Sequence, residues 1–171
     1  MVFHCRCFSF SKEESDPQVT NNLRAFTFSE LKAATNNFSR SSKIGEGRFG
    51  CVYKGVINSP RDSTKRLDVA DKQLSVTGLL GQKEWVKEVN VLGVVDHPNL
   101  VKLVGHCAEE DERSGTQRLL VYEYMDNRSV EDRLYTRSEP TLSWTMRLKV
   151  ALDAARGLVY LHEEMEFKME C

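Results

Sequence analysis

Three glycines at positions 45, 47 and 50 constrain this chain more than any other feature of its sequence. They lie in the segment Ile44–Ile57, IGEGRFGCVYKGVI, and the residues that follow Gly50 favour a pleated strand. Without a β-carbon, glycine lets backbone N–H groups come close to phosphate oxygens. The same spacing opens dinucleotide-binding folds, but there a helix follows the glycines, whereas here a strand follows. The segment predicts a glycine-rich hairpin that covers a phosphate group, and an ordinary glycine-rich hairpin remains the alternative.

A lysine and a glutamate further along the chain form a second candidate feature. The stretch 67–74, LDVADKQL, alternates with period two, which places Ala70, Lys72 and Leu74 on one face of a strand. After a glycine-containing bend predicted at 78–81, KEWVKEVNVLG predicts a helix with Trp85, Glu88 and Leu92 on one side. A carboxylate among large apolar residues needs a cationic partner, and Lys72 is the obvious candidate. A solvated strand lysine and a rim glutamate are the ordinary alternatives.

The rest of the chain predicts more strands and one long helix. HPNLVKLVGHC at 97–107 alternates like a half-buried strand, an acidic loop EEDERSG follows, and LLVYEYM at 119–125 predicts a buried strand. His97 and His106 lack a third ligand at a plausible spacing, which argues against a metal site. Residues 142–162 predict a helix capped by Ser143 whose inward stripe expects an apolar partner. The stripe consists of Trp144, Leu148, Ala151, Ala155, Leu158 and Leu161.

Composition and the first residues exclude several classes of protein. The 171 residues carry a formal net charge of -1, so no overall field attracts nucleic acid or anionic lipid. Five cysteines without regular spacing favour a reducing compartment. Residues 1–24 are polar and predict a flexible tail, in which Cys5 and Cys7 are either ordinary thiols or, if S-acylated, a reversible membrane anchor. From Phe26 a short docking helix is expected, capped by Ser29 and ended by Asn36 and Asn37.

Seven segments in a fixed order resemble the plant receptor-like cytoplasmic Ser/Thr protein kinases, in particular members of the pattern-triggered-immunity type. They are FTFSELKAATNNFS, IGEGRFGCVYKG, VADK, KEWVKEVNVLG, HPNLVKLVGHC, LLVYEYM and LSWTMRLKVALDAARGLVYLHEE. The resemblance implies an α+β fold with a kinase N-lobe at 25–125, made of a five-stranded antiparallel sheet, helix C and the hinge. It also implies that residues 126–171 are a partial C-lobe containing helices D and E.

The resemblance also implies roles for individual residues. Lys72 would bind the α- and β-phosphates of ATP, Glu88 would hold Lys72, and Tyr122 would stand at the gatekeeper position. Leu92 and Leu103 would join helix C to the sheet. The remaining nucleotide-binding positions are Gly45, Glu46, Gly47 and Gly50 of the phosphate cover, Val52 and Ala70 beside adenine, and Glu123 and Met125 of the hinge.

The family's catalytic loop, with its Asp base and metal-binding Asn, and its Asp-Phe-Gly segment do not occur in the 171 residues. We therefore expect no catalytic residue and no magnesium ligand, weak or vestigial ATP binding, and an inactive chain. Two alternatives are the first part of an active immune-signalling kinase and a non-catalytic docking or decoy module. The resemblance implies receptor kinases or kinase substrates as partners and a cytoplasmic location, which acylation would move to the inner face of the plasma membrane.

One residue departs from the family's pattern at the strand lysine. Asp71 replaces the apolar residue that usually precedes that lysine. If Asp71 is buried without a partner it costs about 1 to 3 kcal/mol, and much less if it reaches solvent. Arg48 stands where glycine is common, at a position that varies among kinases.

Overall fold

The computed structural model describes residues 23–47, 49–59, 64–74, 79–111, 115–135 and 141–165. These residues form two compact units. One contains the described residues up to Val95 together with Lys102–Tyr124, and the other contains Asp96–Val101 together with the described residues from Met125 onward. Nearly all of the predicted tail, and with it Cys5 and Cys7, lies outside the described residues, as does Arg48.

The first unit is built on a mixed sheet of six strands. In chain order the elements are β1 (Arg24–Ala25), helix α1 (Phe28–Ala34), β2 (Lys43–Gly47), β3 (Gly50–Asn58), β4 (Arg66–Leu74), helix α2 (Leu79–Leu92), β5 (Leu103–Asp111) and β6 (Gly115–Glu123). The spatial order is β1-β5-β6-β4-β3-β2. The predicted α+β class is confirmed, with a sixth strand that the sequence pattern did not indicate: β1 pairs parallel to β5.

Helix α1 covers one face of this sheet, which we call the outer face. Its N-cap is Thr27, not Ser29 as predicted, because the Thr27 side chain accepts from the Glu30 N–H while Glu30 accepts from the Thr27 N–H. The helix ends at Ala34, and Asn36, Asn37 and Phe38 follow with positive φ, so the predicted stop is confirmed. Helix α1, the segment before it and the outer face of the sheet share one cluster of buried residues: Phe26, Phe28, Leu31, Ile57, Val69, Cys107, Leu119 and Val121.

Helix α2 covers the opposite, inner face of the sheet. Trp85 and Val89 pack there against Leu103 and Leu120, with Leu92 and Tyr122 at the margin. The Trp85 indole N–H donates to the Leu119 carbonyl at 3.2 Å, which satisfies its one polar group. Leu92 and Leu103 therefore join the helix to the sheet, as expected from the resemblance.

Several predicted boundaries were wrong. Helix α2 begins at Leu79, within the predicted bend, since tertiary packing on the sheet outweighs a single glycine at position 81. Strand β5 begins only at Leu103 and runs to Asp111, because the acidic residues 109–111 pair across the hairpin with Gly115–Gln117. Strand β6 ends at Glu123 and does not reach Met125.

Two glycines permit close backbone approaches in the sheet. A β-carbon on Gly105 would collide with the Arg24 carbonyl oxygen and with the Phe26 ring, so this glycine lets β1 lie against β5. Gly50 has φ of 139°, and a β-carbon there would strike the Gln73 carbonyl oxygen of β4. Gly105 thus allows the edge strand β1 to approach β5, and Gly50 allows β3 to approach β4.

The second unit contains helices α3 (Val130–Tyr135) and α4 (Trp144–Val159), and α4 continues into a π-helical turn, Tyr160–Glu164. Ser143 caps α4 as predicted, since its hydroxyl accepts from the Met146 N–H. Gly157 is the buried residue of α4 and approaches the Asn99 carbonyl. The predicted inward stripe is largely exposed, with Trp144 73% and Leu148 54% accessible. No helix in the described ranges is long and apolar enough to cross a membrane.

Candidate functional site

Strand β4 places Lys72 on the inner face of the sheet. Its cross-strand partners are Val52 on β3 and Leu120 on β6, while Ala70 two residues earlier pairs with Lys54 and Tyr122. Directly paired residues share a face, so Val52, Ala70, Lys72 and Tyr122 line the same side. The lysine side chain is only 11% exposed. A buried ammonium of this kind requires a partner.

Helix α2 provides that partner. Lys72 Nζ donates to Glu88 Oε1 at 2.6 Å, and the Glu88 side chain is 26% exposed. The predicted Lys72–Glu88 ion pair is confirmed. Because the pair is largely withdrawn from water, it is screened less than a surface pair and orients the ammonium more firmly.

Tyr122 on β6 completes this group of three side chains. Its hydroxyl donates to Glu88 Oε2, the oxygen that Lys72 leaves free. Burial, reinforced by the neighbouring Glu88 charge, raises the pKa of Tyr122 well above its usual range, so the phenol stays a neutral donor. The family resemblance placed Tyr122 at the gatekeeper position, but the bond to Glu88 was not predicted, since a motif match assigns a position and not a contact.

Strands β2 and β3 form the predicted glycine hairpin. Gly45 lies opposite Val52 and Gly47 opposite Gly50, and a β-carbon on Gly47 would meet nothing within 4 Å. Glu46 accepts from Lys43 Nζ at 2.6 Å on the exposed surface. This hydrogen bond is the main reason that the pKa of Glu46 is lowered and that of Lys43 is raised. Glu46 thus lies in an ion pair of the hairpin itself.

The end of β6 brings Glu123 against the segment before β5. The Glu123 N–H donates to the Lys102 carbonyl at 3.0 Å, and Glu123 Oε1 accepts from the Lys102 N–H at 2.9 Å. Met125 follows the strand as an exposed residue of the second unit. The side-chain bond of Glu123 was not predicted, because only its backbone was assigned a role.

A comparison with protein families shows which family contains this hairpin, lysine and glutamate. The protein tyrosine and serine/threonine kinase family matches residues 38–166, which include the hairpin, Lys72, Glu88 and Tyr122. This chain belongs to that kinase family.

Its relatives are plant receptor-like cytoplasmic Ser/Thr kinases, which confirms the family that the sequence motifs predicted. The serine/threonine-protein kinase PCRK2 of Arabidopsis thaliana is 64% identical over 149 residues, which are 87% of this chain and 35% of that protein. The serine/threonine-protein kinase PCRK1 of the same plant is 58% identical over 94% of this chain and 39% of its own length. The chain therefore spans between a third and two fifths of these relatives.

A solved structure agrees with the fold. The pseudokinase domain of BIR2, described as an immune regulator of the RLK/Pelle family, is 35% identical and superposes with a TM-score of 0.58. The match covers 80% of this chain and 40% of that one.

The residues of the kinase sheet fit a nucleoside triphosphate. Gly47 leaves open space beside its backbone, Lys72 presents an ammonium already oriented by Glu88, and Val52 and Ala70 are apolar residues on the same face. Backbone N–H groups and a fixed ammonium suit phosphate oxygens, and small apolar side chains suit a base.

Asp71 departs from this pattern in an unexpected way. It is 0% exposed, and neither of its carboxylate oxygens has a hydrogen-bond partner in the described structure. Burial raises the pKa of Asp71 to about 8. Asp71 is therefore buried without a partner and does not reach solvent, which is the environment with the higher free-energy cost.

Proposed function

We propose that this chain is the nucleotide-binding part of a Ser/Thr protein kinase domain, and that its 171 residues bind ATP weakly without transferring phosphate. The single observation that carries the proposal is the Lys72–Glu88 ion pair at 2.6 Å on the strand beside the glycine hairpin. Such a pair orients a cation for phosphate, and the family as a whole uses ATP and magnesium.

Each residue of the inner face has a role in this proposal. The backbone of Gly45, Gly47 and Gly50 covers the phosphates, with Glu46 shaping the hairpin through Lys43. Lys72 binds the α- and β-phosphates, and Glu88, held by Tyr122, keeps the ammonium in place. Val52 and Ala70 contact the base, and the backbone of Glu123 binds its polar edge. ATP supplies the transferable phosphoryl group when bound.

Phosphoryl transfer needs groups that these residues do not include. The 171 residues contain no His-Arg-Asp catalytic loop and no Asp-Phe-Gly segment, so they offer neither the Asp base nor the usual magnesium ligands. Positioning and charge stabilisation by such groups account for most of the rate of this reaction. A role for this chain without catalysis has a parallel in the BIR2 pseudokinase.

A second candidate is that these residues are the first part of an active Ser/Thr kinase of plant immune signalling. The 64% identity to PCRK2 over most of this chain favours it, since most of that protein's length lies outside the match. In either case we propose receptor kinases or kinase substrates as partners. We also propose a cytoplasmic location, at the inner face of the plasma membrane if Cys5 and Cys7 are acylated.

Nucleotide binding is tested by thermal unfolding of the chain with and without ATP and Mg²⁺. We expect millimolar ATP to raise the midpoint by a few degrees, and Lys72→Met to abolish that rise, because the ammonium that meets the phosphates is gone. Lys83→Met, an exposed lysine on the same helix as Glu88, is the matched control and keeps the rise. An equal response of the parent and Lys72→Met to ATP would contradict the proposal.

The absence of transfer is tested separately with radiolabelled ATP and a general protein substrate. We expect no label above that of Lys72→Met prepared in parallel. If the parent incorporates label into the substrate and Lys72→Met does not, the proposal that the chain is inactive is wrong and the active-kinase candidate is favoured.

A further inference from the structure

Asp71 occupies a central position in the sheet that its charge does not suit. It lies on β4, between Tyr53 of β3 and Val121 of β6, which are its directly paired neighbours. All three face the outer side of the sheet, where α1 closes over the cluster that contains Val69 and Val121. The carboxyl group is fully buried, and in the described ranges both of its oxygens lack a hydrogen-bond partner. A carboxylate in such a place is far less stable than a neutral carboxylic acid.

The ionisable groups around Asp71 do not relieve this cost. Tyr53 faces it from β3, and burial is the main cause of a raised pKa for that phenol. Cys107 faces it from β5, where burial first, then Glu109, Asp71 and Glu30, raise the pKa of the thiol to about 12. All of these groups are neutral or negative. Glu30 lies on α1 and its charge acts on Cys107. The residue of β6 that is paired with Asp71 is the apolar Val121.

The next residue along the strand is Lys72, which points to the inner face and bonds to Glu88. Because side chains alternate along a strand, an opening of β4 that carries Asp71 towards solvent also moves Lys72. Strand β4 pairs on both sides, with Val52 and Leu120 opposite Lys72. Local opening here would therefore disturb the outer core and the ion pair together.

We propose that Asp71 is a built-in proton switch of the kinase sheet: β4 stays closed while Asp71 carries its proton, and loss of that proton to solvent opens the strand and separates Lys72 from Glu88. The proposal goes beyond nucleotide binding, since it concerns the order of the site before any ligand arrives.

The direction of the pH dependence follows from the buried carboxyl. In the closed strand Asp71 keeps its proton up to about pH 8, because burial alone raises its pKa. In the opened strand it ionises at the ordinary value of about 4. The closed form is thus fully favoured below about pH 4 and loses stability as pH rises towards 8, with an opening constant that grows by up to about tenfold per pH unit.

The test measures opening of β4 directly, without nucleotide, so that a failure of ATP binding leaves it unaffected. Hydrogen exchange is followed by mass spectrometry on peptides covering 66–74 at pH 6.5, 7.0, 7.5 and 8.0, and converted to protection factors that remove the intrinsic pH dependence of exchange. We expect protection in the parent to fall by about five- to tenfold between pH 6.5 and 7.5. In Asp71→Asn and Asp71→Val we expect protection to stay constant.

Two controls separate ionisation from other effects. Asp68→Asn removes a half-exposed carboxylate from the same strand, where it pairs with Lys54, and should keep the pH slope of the parent. His106 lies on the inner face beside Trp85, and burial lowers its pKa. His106 is present in every variant, so its contribution to the pH dependence of protection cancels in the difference between the parent and Asp71→Asn.

A second readout follows α2 on the sheet. In a Trp144→Phe background, Trp85 is the remaining tryptophan and reports the packing of α2 during urea unfolding. We expect the midpoint to fall with rising pH in that background and not in Asp71→Asn made on it. Equal pH slopes in the parent and Asp71→Asn, in either measurement, would overturn the proposal.

Discussion

Glu88 has two partners at the residue scale, and they divide its two oxygens. Lys72 of β4 donates to Oε1, and the Tyr122 hydroxyl of the neighbouring strand β6 donates to Oε2. Two adjacent strands therefore hold the carboxylate. A carboxylate with both oxygens engaged in a low-dielectric place has little freedom to rotate. The tyrosine therefore positions Glu88, which in turn positions the lysine.

Replacing Tyr122 by Phe tests this arrangement. We expect Tyr122→Phe to lower the free energy of unfolding by about 1 kcal/mol, because a buried carboxylate oxygen loses its donor while the ring still packs. The thermal shift with ATP and Mg²⁺ should shrink but remain, since Lys72 stays bonded to Glu88. Urea unfolding measures the first effect. Tyr124→Phe, whose ring contacts Lys54, is the control, and an equal loss in both variants would refute a special role for Tyr122.

At the scale of the elements, Gly105 of β5 allows β1 to pair with the sheet. Strand β1 is two residues long and pairs parallel to β5, with Arg24 opposite Gly105. The Phe26 N–H continues the contact by donating to the His106 carbonyl at 2.8 Å, and Glu109 accepts from the Phe28 N–H at 2.8 Å. The segment before α1 is thus fastened to β5 by its backbone, which leads Phe28 and Leu31 into the outer core.

Gly105→Ala should detach this segment. The new β-carbon would collide with the Arg24 carbonyl and the Phe26 ring, and both neighbours are packed, so we expect a loss of about 2 kcal/mol or more in the free energy of unfolding. Exchange protection of the peptide covering Arg24–Phe28 should fall with it. Gly47→Ala is the control, because a β-carbon there meets nothing within 4 Å. A stability of Gly105→Ala close to that of the control would show that β1 adapts.

Helix α4 of the second unit carries exposed apolar side chains. Along α4, Trp144 is 73%, Leu148 54% and Leu152 52% exposed, and these residues recur at four-residue spacing on one side of the helix. An apolar stripe of this size on a helix favours association. About three fifths or more of the length of the relatives lies outside the match.

We expect the 171-residue chain to bind the dye ANS and to associate as its concentration rises. The double variant Leu148→Glu with Leu152→Glu should reduce both effects several-fold, because it places charge within the stripe. Thr145→Glu adds charge to an exposed polar position of the same helix and is the control. Analytical ultracentrifugation measures the association. A double variant that associates as strongly as the parent would show that another surface is responsible for the association.

Alternation and spacing in the sequence determined much of the first unit. The glycine pattern predicted the β2–β3 hairpin, period-two alternation placed Lys72 and Asp71 on opposite faces, and helical spacing placed Glu88 among apolar residues. Both signals are local, because they follow from the repeat of a strand or a helix. The motif order gave the family, which the comparisons confirmed.

Only the tertiary structure decided what those faces meet. Whether Asp71 lies against solvent or beneath α1, which oxygen of Glu88 receives Tyr122, and how the backbone before α1 becomes a sixth strand all depend on elements distant in the chain. The long β5–β6 hairpin, extended through acidic residues, was missed for the same reason, whereas the Thr27–Glu30 capping box is a local contact within one helix. A repeat states which side of an element a residue occupies, whereas burial and partners arise from the packing of elements against one another.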